Sequence, residues 1–253
     1  MVVGFVPLAY WAKTKSVKAF PFVLGGTLWF AAIIPKVVLD LTMGEALDLW
    51  ANSTLGALGA FIFISAYVGF RTGAFESGLS YIAFLKTRLG SATYDDAVGF
   101  GLAFGGVEAI LLGLSSFLNV LLFLLNPSLI EQVPAAQRQA LLNALDAPSI
   151  MVFAPIIERT FTIFVHLFAT VLVYLAVLRR KASLFWVSLL YRAGIDGMVP
   201  GFGRVLVQPY DPVLMTYMIE FVIAIYGSVG LLATRWLGRK METNGVRTTE
   251  TRP

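Results

Sequence analysis

Six stretches, residues 20–41, 54–70, 97–126, 150–178, 182–199 and 212–237, are so apolar, and so nearly free of charge, that water cannot be their main solvent. At 1.5 Å per residue each reaches across, or nearly across, a hydrocarbon core of roughly 30 Å. An open segment at that depth must satisfy its backbone hydrogen bonds internally, which selects the helix. Composition agrees: 58% of the 253 residues are hydrophobic and 13% are charged, half the charge a soluble domain of this length carries. The expected fold class is all-α, a polytopic transmembrane helix bundle. Residues 2–12 form a shorter apolar run, read as the end of a first span, which makes about seven.

Basic residues sort by loop. Lys13, Lys15 and Lys18, then Arg71, Lys86 and Arg88, then Arg179, Arg180 and Lys181, then Arg235, Arg239 and Lys240 fall on one side. The opposite side has Arg138 and Arg204 among the acidic Asp40, Glu45, Asp48, Glu131, Asp146 and Asp211. The positive-inside rule then places the C-terminus in the cytoplasm of a cell-membrane protein. Basic clusters beside apolar runs suit a lipid surface and not a nucleic acid. Residues 1–240 read as one membrane domain and 241–253 as a polar, disordered tail. Residues 75–89 and 134–147 read as interfacial helices. Gly101 and Gly105, four apart, suit close helix packing. Gly201-x-Gly203 lacks a third glycine and a preceding strand and is read as loop, not a dinucleotide site. With no cysteine there is no disulfide, thiolate nucleophile or thiolate metal ligand.

Ionisable residues inside these runs are the candidate functional set: Glu108, Glu158, Arg159, His166, Arg192, Asp196 and Glu220. Each costs roughly 2.5–3.5 kcal/mol at a helix centre if charged and unpaired, so they must meet one another or water inside the bundle. Arg159 and His166, seven apart, share a helical stripe, with Glu158 and Glu108 as expected partners. Arg192 and Asp196, at i and i+4, are expected to form an intrahelical salt bridge. Glu220, nearer a span end, is expected to snorkel or pack.

The run Gly105-Gly106-Val107-Glu108-Ala109-Ile110-Leu111-Leu112-Gly113, then Glu158-Arg159, then His166, resembles the YhfC family of intramembrane proteases. That family is related to the CAAX-processing and bacteriocin-processing membrane proteases. Gly73 to Phe84, containing Glu76-Ser77-Gly78-Leu79-Ser80-Tyr81, resembles its first motif. The resemblance implies a glutamic mechanism: a carboxylate activates water in a membrane cavity while neighbouring donors polarise the scissile carbonyl of a membrane-embedded or membrane-proximal peptide. It makes Glu76 the base, with Glu108, Glu158, Arg159, His166 and Asp196 around it.

The chain departs from that pattern at four places. Ser77 stands for the second glutamate of the first motif and Ser80 for its arginine. Phe104 stands for a histidine, and Arg192 for the histidine four residues before Asp196. Arginine stays charged and cannot serve as a proton shuttle. One histidine and no cysteine leave carboxylates to complete a zinc shell, against the repulsion of Arg159 and Arg192, so no zinc or other cofactor is expected. Three functions remain open: a peptidase, a non-catalytic relative binding a membrane partner or peptide, and a transporter or channel.

Overall fold

Each apolar run closes its backbone hydrogen bonds as a helix in the computed structural model, which describes residues 1–205 and 211–243. In order these are α1 (Val2–Thr14), α2 (Ala19–Leu39), a π-helical turn (Asp40–Gly44), α3 (Glu45–Lys86), α4 (Tyr94–Leu125), α5 (Leu129–Gln132), α6 (Ala135–Leu145), α7 (Ala154–Leu178), α8 (Ala182–Val205) and α9 (Pro212–Thr243). No strand occurs among the described residues, and the chain is an all-α membrane bundle. Four helical stretches have the length and hydropathy of a membrane crossing: Ala19–Lys86, taken through its internal turn, Tyr94–Leu125, Ser149–Leu178 and Pro212–Thr243. Large apolar side chains such as Val23, Ile34, Phe70, Phe117 and Phe221 point outward, as a lipid solvent allows.

Local chemistry sets the ends. Thr93 and Asp96 form a reciprocal capping box at the start of α4. Asp211 accepts from the backbone N–H groups of Val213 and Leu214, with Pro212 at the first helical position of α9.

The sharpest departure from helical geometry is Gly56, whose φ of 68° and ψ of 175° lie in a region open essentially to glycine. The chain doubles back there. The rings of Trp50 and Phe63 meet at 5.3 Å, Arg71 pairs with Asp40, and Lys36 pairs with Glu76 at 2.6 Å. α2, the π turn and the first part of α3 thus run antiparallel to the remainder of α3.

This hairpin corrects three expectations. The third apolar helix does not stop near residue 70 but continues to Lys86, so 75–89 is not a separate interfacial helix. Its Glu76, Ser77, Ser80, Ala83 and Phe84 are buried. Arg71 is not a loop residue on the opposite side from Asp40, since the two are paired at one level. Glu76 lies within the bundle and not at its edge.

The reason is a row of small residues. Ser65, Gly69, Gly73 and Ser77 recur every four positions and let α3 press against α8. A Cβ at Gly69 or Gly73 would run into the carbonyl oxygen of Ala193 or Leu189. α8 itself continues helical through 201–203, so Gly201-x-Gly203 is not loop.

α4 and α7 form the centre. α4 packs on α1, α2 and α7, and α7 on α4, α8 and α9. The expected close contact at Gly101 and Gly105 is made against Leu167, Thr170, Ile163 and His166 of α7. Near the C-terminus α9 runs on to Thr243 with Met241 buried. Residues 244–253 of the expected tail lie outside the described residues.

Candidate functional site

Five helices each contribute to one polar cluster. α2 brings Trp29 and Lys36, α3 brings Glu76, α4 brings Glu108, α7 brings Glu158, Arg159 and His166, and α8 brings Arg192 and Asp196. His166 lies about 18 Å along α7 from its end at Leu178, at 1.5 Å per residue, which is close to half a bilayer core.

His166 is seated by a notch. A Cβ on Gly105 would stand 3.0 Å from His166 Cδ2, so glycine there lets the imidazole lie against α4. Its Nε2 is 2.9 Å from Glu108 Oε2, and its Nδ1 is 3.5 Å from Glu76 Oε2. Trp29 Nε1 donates to Glu108 Oε2 at 3.0 Å, and Arg159 donates to Glu108 Oε1 at 2.8 Å and also to Glu158. The shared stripe expected of Arg159 and His166 is therefore joined through one glutamate.

Glu76, 2% exposed, is held from both sides. Lys36 Nζ lies 2.6 Å from Oε1, and Arg192 lies 3.4 Å from Oε2. Arg192 is itself 1% exposed. It donates to Thr170 Oγ1 at 3.0 Å and stacks its guanidinium 4.7 Å from the centre of the Phe104 ring. Phe104 in turn faces the His166 ring at 5.3 Å. The expected Arg192–Asp196 salt bridge is not formed. Arg192 reaches across to Glu76 and Thr170 instead, its guanidinium directed at α3 from its seat on the Phe104 ring, and Asp196 faces the Thr72 hydroxyl.

All six sequence-derived site residues thus gather in one region, with Glu76, Glu108, Glu158, Arg159 and His166 in direct contact and Asp196 beside them. Lys36, Arg159 and Arg192 oppose Glu76, Glu108, Glu158 and Asp196, three basic side chains to four carboxyl groups, with His166 among them. Lys36 and Trp29 were missed by sequence reasoning, although a lysine inside a 22-residue apolar run is itself a warning. Ser77 and Ser80 are fully buried. Ser77 meets Ser188 at 3.0 Å between Oγ atoms, and Ser80 donates to the Glu76 carbonyl. Glu220 does not snorkel. It is buried on α9, with Oε2 lacking a hydrogen-bond partner among the described residues.

A family model described as YhfC intramembrane metalloprotease matches residues 1–223. No curated protein and no solved structure matches. That description implies a metal ion, and the donors here do not fit one. His166 Nε2 is taken by Glu108, and although Nδ1 has no hydrogen-bond partner among the described residues, the carboxylate nearest to it, Glu76, is itself paired with Lys36 and Arg192. Both oxygens of Glu76 face cations, and Glu108 is engaged by Arg159, Trp29 and His166. Among the described residues no three His, Cys, Asp or Glu side chains are grouped to hold an ion.

Proposed function

The chain belongs to the YhfC intramembrane metalloprotease family, and from that premise we propose that it is a non-catalytic member that works by binding a membrane-embedded protein or peptide. The supporting observation is the state of Glu76. A general base needs a free lone pair within hydrogen-bond reach of a water. Here Lys36 and Arg192 each engage one oxygen, and the side chain, 2% exposed, is closed off from bulk water.

The replaced positions support the same reading together. Phe104 and Arg192 stand where the resemblance expects histidines, and they touch each other. The change at one site supplies the apolar ring on which the charge at the other rests. The cluster then acts as an internal strut, a network of opposed charges tying α2, α3, α4, α7 and α8 together. In this reading the basic helix ends of α1, α3, α7 and α9 face the cytoplasm, with about seven crossings and a cytoplasmic C-terminus.

A second reading, retained glutamic peptidase activity, draws on His166 standing between Glu76 and Glu108. Comparing the membrane proteomes of cells expressing the unaltered chain and Glu76→Gln separates the two. The same cleavage products are expected in both. A product present with the unaltered chain and lost with Glu76→Gln would overturn the non-catalytic reading.

A further inference from the structure

A cavity lies away from the charge cluster, at the basic end of the bundle. It has a volume of about 360 Å³ and is walled by α1 and α9 over a floor of α4 and α7. α1 packs on α4 and α7, α9 packs on α7, and the two walls scarcely touch one another.

Its lining is graded along α1, α4 and α9. At the outer end stand Lys15 just past α1, Asp95 of α4, and Arg235, Arg239 and Glu242 of α9. Inward, the same helices present Pro7, Val98, Leu102 and Leu231, joined by Phe164 and Leu167 of α7. Asp95 to Leu102 covers about 10 Å of helix, so the change from charged to apolar takes place within two turns. That is the polarity profile of one glycerophospholipid in a leaflet, not of a soluble metabolite.

The charges specify the headgroup. Arg235 and Arg239, one turn apart on α9, suit a phosphate, which guanidinium groups bind with charge-assisted hydrogen bonds. Asp95 supplies the second, independent feature. Its side chain is 7% exposed, its Oδ1 lies 3.7 Å from Lys15 Nζ, and its Oδ2 has no hydrogen-bond partner among the described residues. A buried carboxylate oxygen left without a donor is unfavourable, and a ligand ammonium would satisfy it. Trp11, donating to the Asp95 carbonyl oxygen at 3.1 Å, fixes the local backbone beside it.

We propose that this cavity binds a phospholipid carrying a primary ammonium next to its phosphate, the ethanolamine class. The phosphate sits at Arg235 and Arg239, the ammonium at Asp95, and the first part of an acyl chain lies on Val98, Leu102 and Leu231. The rest of the lipid leaves through the gap between α1 and α9.

The test uses the full chain, purified in detergent and incubated with an equimolar mixture of phosphatidylethanolamine, phosphatidylglycerol and phosphatidylcholine bearing identical chains. Bound lipid is read by native mass spectrometry. Ethanolamine lipid should be retained over choline lipid by about tenfold, the worth of one charge-assisted hydrogen bond. Asp95→Asn should remove that preference while keeping total retention. Arg235→Gln with Arg239→Gln, at exposed positions where folding is not at stake, should lower retention of all three. Equal retention of the three lipids by the unaltered chain, a preference for the glycerol headgroup, or undiminished retention by the double arginine variant would each overturn the proposal.

Discussion

Replacing Lys36 by Met keeps the volume and removes the charge, leaving Glu76 buried with Arg192 as its remaining cation. At an effective dielectric of 20, the Lys36–Glu76 attraction at 2.6 Å is about 6 kcal/mol and the Arg192–Glu76 attraction at 3.4 Å about 5 kcal/mol. Loss of the first is offset by the several kcal/mol no longer spent in desolvating the ammonium. The net destabilisation expected is about 3 kcal/mol, at the lower end of the range for breaking a buried pair. Equilibrium unfolding of the purified protein in mixed micelles measures it. The double variant Lys36→Met, Glu76→Gln should be less destabilised than the sum of the single variants by about 2 kcal/mol, because the two side chains are in direct contact. If Lys36→Met changes stability by less than about 1 kcal/mol, the pair behaves as a solvated one. Glu76 would then be open to water, and the argument that its oxygens are taken fails with it.

Two further substitutions test the backbone. Gly73→Ala should destabilise by about 2 kcal/mol or more, since its Cβ would press on the Leu189 carbonyl, whereas Gly78→Ala, with nothing within 4 Å, should be neutral or stabilising by up to about 1 kcal/mol. The same unfolding assay reads both, and equal effects would refute the close α3–α8 contact. Gly56→Ala also has open space around it, yet should lose about 1–3 kcal/mol from its positive φ alone. An unchanged stability would mean the turn is not fixed at that residue.

The sequence revealed which residues would cluster better than how they would pair. Period alone put Arg159 and His166 on one stripe, and an expensive charge on each of four helices forced the stripes inward. Pairing depends on side-chain reach between helices, which spacing does not encode. Arg192 and Asp196 have ideal i,i+4 spacing, yet the guanidinium crosses to Glu76, lying over Phe104 on the way. The segment 75–89 misled for a related reason. Lys86 and Arg88 at its end imitate an interfacial helix, while the features that bury it, Gly69, Gly73 and Ser77, carry no hydropathy signal strong enough to outweigh them. A reversal between the runs 20–41 and 54–70 was legible, but its corner at Gly56 was not, because a single glycine ends one helical arm and begins the next while 42–53, which reads as loop, is helical.

That hairpin also works as a ruler. Lys36 and Glu76 each stand twenty residues from Gly56, so their meeting is fixed by counting along two arms from a common corner. Losing or gaining one residue in either arm would slide one partner by about 1.5 Å and swing it by about 100°. The lysine would then face lipid and the glutamate would face Arg192 alone. Length between the corner and the charges is therefore under the same constraint as the charges themselves. Insertions in this chain should be tolerated at 126–149, between α4 and α7, and not along either arm of the α2–α3 hairpin.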